Sequence, residues 1–448
     1  MKKIISTLTI VILTLFFTAC SKLLDLEPYQ NISEELSLES DANVKSVLKG
    51  AYAQFDDPAI YGGCVLRNSE LLGAEDECLW VGTYGGPRQI YNKQMNSSNE
   101  DVTDQWIDNY EVINIANNVL SALDVVVEAD RDRVEGEALF LRGLMYFDLV
   151  RFYAQQYQEG SAASQLGVPI VLTPTRGIDE NNLVSRNSVE ETYNQVIADL
   201  TAAAAILPEE NDVYATSSAA TALLARVYLQ KYDYAKARDA ANTVINSGLY
   251  ELQPTYADVF NNDINTSEDI FATQITSQDR FSAMTEYFSV PEYGGRDGDI
   301  EILEGHLNLY SPGDDRLALF FLGNGGMRSG KWNNQYGVVN LIRLAEMYLI
   351  RAECNIRLTT TIGDTPLNDY NIIHTRASLP PATTVTLEDV LLERRLELSF
   401  EGFMIHDQRR LHDDVGTLPY DDPKLVFPIP FRETEANPKL KSQQNPGY

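Results

Sequence analysis

The chain has 448 residues, 44% of them hydrophobic, and a formal net charge of −30 at pH 7. The length suffices for a large buried core, and the composition is that of an ordinary globular protein. Charge of this sign and size argues against nucleic acid, and against an anionic membrane surface, as a main partner.

Lys2 and Lys3 precede a mostly apolar run over residues 4–17. The run is too short for a typical membrane span and has the order of an export signal. It ends Phe17-Thr18-Ala19-Cys20, which resembles a bacterial lipobox, with cleavage expected before Cys20 and a lipid on its sulfur. Phe17 stands where such motifs usually carry Leu. No later run is long and apolar enough to span, so anchoring is expected through lipid alone. Cys64, Cys78 and Cys354 remain, an odd number that argues against a full disulfide framework. Cys64 and Cys78 could pair across a loop; Cys354 falls in a helical pattern and reads as a small buried residue.

After an extended tether over 21–34, Ser40, Asp41 and Asn43 precede a helix over 44–55. Residues 60–99 read as an irregular, aromatic and glycine-rich segment. Helix returns at Trp106, and a long one is expected over 133–157. A helix over 188–206 carries Ser188 with Glu191 three residues on, a capping box. Residues 218–251 fit a tetratricopeptide repeat, a helical hairpin of about 34 residues. Ala222, Ala225, Ala237, Ala240 and Ala241 are small enough for close helix approach, Leu224, Tyr228, Tyr234, Val244 and Ile245 fill the flanks, and Gly248 stops the second helix. Leu344-Ala345-x-x-Tyr348 repeats Leu224-Ala225-x-x-Tyr228, and Arg142-Gly143-x-x-Tyr146 is a third copy in which Arg142 replaces the leucine. Residues 269–278 could hold a short strand, while 287–299 and 322–334 read as glycine-rich loops. A helix is expected over 386–411, with Glu393, Arg394, Arg395 and Glu397 bracing it by pairs three and four apart. The tail from Val426 reads as extended.

Enzyme signatures are weak. Glu75-Asp76-Glu77 cannot easily flank a scissile glycosidic bond, being adjacent in sequence. Gly325-x-x-x-x-Gly330-Lys331 mimics a phosphate loop, but Trp332 stands where a magnesium-binding Ser or Thr would be needed. His306, His374, His406 and His412 show no metal-ligand spacing. Alternating Asp297, Asp299 and Glu301 could hold calcium weakly, but they lack the rest of a calcium loop. No cofactor and no catalysis are expected.

Several stretches together resemble the SusD/RagB family of outer-membrane nutrient-binding lipoproteins: GEALFLRGLMYFDLVRFY with the following GVPIVL, LIRLAEMYLIRAE, LNDYNIIHTRASLP, LLERRLELSFEGF, and FPIPFRETEANPKLKSQQNPGY. Met404 and His406 depart from the family pattern. The resemblance implies a mainly α fold, a tetratricopeptide-like scaffold carrying long loops and a few short strands. Its divisions would be a signal at 1–19, an N-terminal part over 20–250 and a C-terminal part over 251–448, joined in one compact mature domain. It implies a non-enzymatic protein, lipid-anchored to the outer membrane and facing the exterior, that passes a glycan to a SusC-like TonB-dependent transporter. Peptide ligands, or an envelope scaffold without a small ligand, are the alternatives. Sugar binding needs aromatic faces beside planar polar groups. On that ground Trp80, Tyr84, Arg88, Asp76, Tyr293 and Trp332 are the expected ligand-binding residues, with Trp106 in the core.

Overall fold

The computed structural model describes residues 38–177, 182–278 and 281–448. The expected signal segment, and Cys20 with it, lies outside them. Among the described residues there are sixteen α-helices and six short strands. The first half holds α1 (Asp41–Phe55), α2 (Cys64–Gly73), β1 (Cys78–Trp80), α3 (Gly85–Tyr91), α4 (Glu100–Leu120), α5 (Glu128–Tyr153), α6 (Val189–Ile206), α7 (Ser217–Gln230) and α8 (Tyr234–Ser247). The second half holds β2 (Asp269–Gln274), α9 (Ala283–Phe288), β3 (Ile300–Ile302), α10 (Glu304–Leu307), β4 (Phe320–Gly323), β5 (Gly326–Ser329), β6 (Val338–Arg343), α11 (Leu344–Leu358), α12 (Pro366–Arg376), α13 (Leu387–Glu397), α14 (Met404–Leu411), α15 (Phe431–Ala436) and α16 (Pro438–Lys441). The protein is mainly α, as the sequence indicates.

The helices pack in a chain of neighbours: α4 on α5, α5 on α6, α6 on α7, α7 on α8, α8 on α11, and α11 on α12. Small residues set the spacing. Ala222, Ala225, Ala237 and Ala241 are fully buried in the α7–α8 hairpin. Gly143 is where α6 docks on α5, since a Cβ there would lie 3.0 Å from Leu200 Cγ. Gly248 closes α8 in the left-handed region at φ 67°. The capping box at Ser188 and Glu191 is formed.

Arg142 explains its own departure from the repeat. Buried in α5, it donates to Asp199 Oδ1 of α6 at 2.6 Å and to Asn117 Oδ1 of α4 at 2.9 Å, tying three helices together. Arg226 of α7 does the same toward α11, gripping both oxygens of Glu346 at 2.9 and 2.7 Å. Such bidentate pairs fix geometry as well as charge.

The three sheets are antiparallel pairs: β1 with β3, β2 with β6, and β4 with β5. Several local expectations need correction. Residues 60–99 are not irregular; they contain α2, β1 and α3. The long helix begins at Glu128, five residues before its expected start, and ends at Tyr153. Residues 386–411 do not form one helix. Phe400 (φ 61°) and Gly402 (φ 86°) turn the chain between α13 and α14. Residues 322–334 contain a hairpin rather than a loop, because Asn324 and Gly325 both adopt positive φ (46° and 80°), the turn that matches strand twist. The tail forms α15 and α16. Tyr146 pins the extended segment 167–172, its hydroxyl accepting from Val171 N at 2.7 Å. Cys64 and Cys78 are both free and buried, as is Cys354.

The α13 charges do not brace their own helix. Glu393 reaches Arg316 (2.6 Å) and His374 (2.9 Å), Arg394 reaches Asp407 (2.8 Å), and Arg395 pairs with Glu77. Glu397 meets Arg376, and Arg343 at 3.0 Å. Arg343 also holds Glu268 (2.6 Å) and Glu401 (2.8 Å), and Lys331 donates to Glu401 at 2.7 Å. Burial alone would push the Glu397 carboxyl up, but Arg376, Arg343 and Arg316 outweigh it and hold it down to about 2. This buried network clamps α12, α13 and the strand β6 against the segment carrying Trp332.

Candidate functional site

The segment after β1 and the segment before β3 meet because their strands pair, Trp80 facing Ile300. The carbonyl of Asp299 then accepts from the N–H groups of Val81 (2.8 Å) and Gly82 (3.2 Å). Gly82 is required by this approach: a Cβ would stand 2.6 Å from both Asp299 Cγ and Trp80 Cζ2. The result places Tyr84, just before α3, at the surface with 47% of its area exposed. Arg296 lays its guanidinium 3.9 Å over the Tyr84 ring and donates to Thr83 Oγ1 at 3.0 Å. Behind Tyr84 stands Tyr287, edge-on at 6.2 Å between centroids, and behind Tyr287 stands Trp80 at 5.8 Å. Arg67, paired with Asp101, lies 4.4 Å over the Tyr287 ring.

Four buried polar atoms at this place make no hydrogen bond: Arg67 Nη1, Trp80 Nε1, Arg296 Nη1 and Asp299 Oδ2. Arg296 Nη1 and Asp299 Oδ2 form an ion pair at 3.1 Å. Burial raises the Asp299 carboxyl above the usual carboxylate range, with Arg296 opposing. Chemically the cluster offers a half-exposed aromatic ring and the cationic donors of Arg296, with the buried Asp299 carboxylate behind them. A polyhydroxylated ring can use the ring face and the donors.

The expected site residues divide. Tyr84 is exposed and central. Arg88 is exposed on α3 and donates to the Gly82 carbonyl at 2.6 Å, so it supports the turn that presents Tyr84. Trp80 is only 6% exposed and acts as backing for Tyr287 rather than as an open platform. Tyr293 is 40% exposed and packs edge-on to Phe321 at 5.7 Å. It lines a separate open cleft of about 450 Å³ with Asp297, Leu322 and Asn324. Asn324 ties the hairpin tip to the Asp297 carbonyl at 2.7 Å.

Two expectations are corrected. Asp76 is exposed but lies beyond the other end of β1, where Gly305 packs on its backbone, so the β1 ladder separates it from Tyr84. Trp332 is 3% exposed, with its indole N–H donating to the Phe400 carbonyl at 3.2 Å, and it has no face open to a ligand. Trp106 is buried as expected. The site instead uses Tyr287, Arg296 and Asp299. The sequence places Tyr287 and Arg296 in the same 287–299 stretch as Tyr293, whereas Asp299 comes to Tyr84 only through the β1–β3 register. Among the described residues no group of three or more His, Cys, Asp or Glu comes together as a metal site. No described helix is long and apolar enough to cross a membrane.

Comparison with known proteins agrees across the chain. A family model described as starch-binding associating with outer membrane matches residues 22–229, and the SusD family model matches residues 320–418. A SusD-like protein of Bacteroides ovatus is 26% identical over 464 residues, covering 88% of this chain and 80% of that one. SusD-like protein P2 of Formosa agariphila is 26% identical over 260 residues, and there the chain spans only 49% of the relative's length. Among solved structures, a SusD superfamily protein of Bacteroides thetaiotaomicron superposes with a TM-score of 0.81 at 27% identity, covering 91% of this chain and 100% of the other. A SusD-like carbohydrate binding protein of Bacteroides vulgatus gives 0.72 at 25% identity over 84% of each chain. Surface glycan-binding protein A of Bacteroides uniformis shares the fold at a TM-score of 0.76 and 20% identity, over 91% and 99% of the two chains. Two family models matching both halves and a shared fold along nearly the whole length give one conclusion: the chain belongs to the SusD/RagB family.

Proposed function

We propose that this protein captures a glycan at the outer membrane, through the Tyr84 site, and performs no reaction on it. The single observation carrying this reading is the half-exposed Tyr84 ring with the Arg296 guanidinium laid beside it, Arg296 being held by the buried Asp299. Sugar rings present C–H faces to an aromatic ring and hydroxyls to planar polar groups, and the site supplies both kinds of partner. The family model's description as starch-binding makes α-glucans the first ligands to try. The captured glycan is handed to a SusC-like TonB-dependent transporter, and the helical stack offers the rigid body that would dock there. A lipid on Cys20 would tether the chain, facing outward.

The test is binding of the purified mature protein to a glycan array and to a peptide library. Selective retention on glycans, with α-glucans among them, supports the proposal; retention on peptides alone overturns it in favour of a peptide carrier. Co-purification with a large outer-membrane transporter tests the partner separately.

A further inference from the structure

A second aromatic cleft, sharing no residue with the Tyr84 site, lies where α7 and α14 end. It is open, about 580 Å³ in volume, and lined by Gln158, Glu159, Tyr232, Tyr234, His412 and Tyr420, with Arg357 at its edge. The volume lies in the range of small-molecule sites. The His412 ring stacks on Tyr420 at 4.2 Å and 17°. Tyr232 and His412 meet through a hydrogen bond of 3.2 Å between hydroxyl and Nε2. Tyr420 accepts from Gln158 Nε2 at 3.4 Å, and Arg357 lies 4.9 Å over the Tyr234 ring.

The backbone gives the independent observation. Tyr232 and His412 follow the ends of α7 and α14, and both have φ of 63°. That position usually takes glycine, as Gly248 does after α8 in this same chain, because a side chain there is strained. For a Tyr this is uncommon, whereas His is among the residues that adopt positive φ more readily. Three ring-bearing residues of this protein adopt it: Tyr232, Phe400 and His412. Phe400 is 1% exposed and fills the core. His412 is exposed, and Tyr232 is half-buried, packed on the core on one side and lining the cleft on the other. The positive φ at Tyr232 and His412 turns both rings into the same open cleft.

We infer that this cleft is a second carbohydrate site, taking one or two sugar rings against Tyr232, Tyr234 and Tyr420, with Gln158, Glu159 and Arg357 meeting hydroxyls. Two sites on one chain would bind a polymer with avidity that neither has alone. The inference stands on its own cleft and does not need the Tyr84 site.

The experiment uses the full mature chain carrying Tyr84→Ala, so that the first site is weakened. Saturation-transfer NMR is run with maltotriose, cellotriose, mannotriose and trigalacturonate. The expected result is that at least one trisaccharide still receives saturation, and that adding Tyr420→Ala weakens that binding roughly tenfold. His412→Gly, which relaxes the backbone, should weaken it also while leaving the melting temperature unchanged or raised. The inference is overturned if no trisaccharide is saturated in the Tyr84→Ala protein, or if Tyr420→Ala and His412→Gly leave the remaining signal unaltered. Unchanged affinity on Tyr84→Ala with loss on Tyr420→Ala would sink the first site and uphold the second.

Discussion

Glu397 is the most informative single residue for stability. It is 1% exposed, and its carboxylate sits among Arg376, Arg343 and Arg316. Its folded value of about 2 stands against an ordinary 4.5. At 1.36 kcal/mol per unit, the depression corresponds to about 3 kcal/mol of stability at neutral pH. The same size follows from the cost of breaking a buried pair, roughly 3–5 kcal/mol. The sign follows from linkage. A depressed carboxyl contributes fully above its unfolded value and loses its contribution as pH falls through the folded one. Glu397→Gln should therefore lower the unfolding free energy by about 3 kcal/mol at pH 7, with the deficit shrinking between about pH 4.5 and 2. The assay is urea unfolding of both proteins at pH 7, 5 and 3, compared through midpoints at constant slope. A loss under about 1 kcal/mol at pH 7, or a deficit that does not change with pH, would refute the electrostatic role given to this residue.

Other expectations are equally direct. Glu70 accepts N–H bonds from Gly402 and Phe403 at 2.8 and 3.0 Å, yet burial pushes its carboxyl up to about 7. Its charge therefore opposes folding above that value, so the Glu70 contribution to stability should rise as pH falls from 8 to 5. Glu70→Gln should be more stable than wild type by up to about 3 kcal/mol at pH 8, the excess falling to about 1 at pH 5, measured by denaturant midpoints. Gly82→Ala should disrupt glycan binding and cost roughly 1–3 kcal/mol, since neither Asp299 nor the Trp80 indole can easily yield; a folded variant with native affinity would refute the close-approach argument. Trp332→Phe should cost about 1–3 kcal/mol by leaving the Phe400 carbonyl unpaired, read as a lowered thermal midpoint.

The helical body is legible in sequence because its signals are local. Alanines at the crossing, the Ser188–Glu191 box and Gly248 each act within one or two turns. The Asn324-Gly325 turn was equally readable, but the glycines around it in 322–334 mask the strands it joins. The α13 charges were not readable, because partners three and four residues away compete with Glu77, Arg343 and Asp407, which are distant in sequence. The candidate site shows the same division. Tyr84 is exposed, as its loop setting suggests. Trp332 was misplaced because a glycine-rich neighbourhood says nothing about depth, while Lys331 beside it is drawn inward by Glu401. Asp299 was read among alternating acids, and only the β1–β3 register brings it to Tyr84.

The central claim is that recognition uses the exposed Tyr84 ring and not the buried tryptophan that the chain pattern also favours. Calorimetric titration with the best-binding glycan, on wild type, Tyr84→Ala and Trp332→Phe, tests it most directly. Tyr84→Ala should bind at least about tenfold more weakly, and Trp332→Phe should keep wild-type affinity below its lowered melting point. Native affinity in Tyr84→Ala, or loss confined to a folded Trp332→Phe, would contradict it.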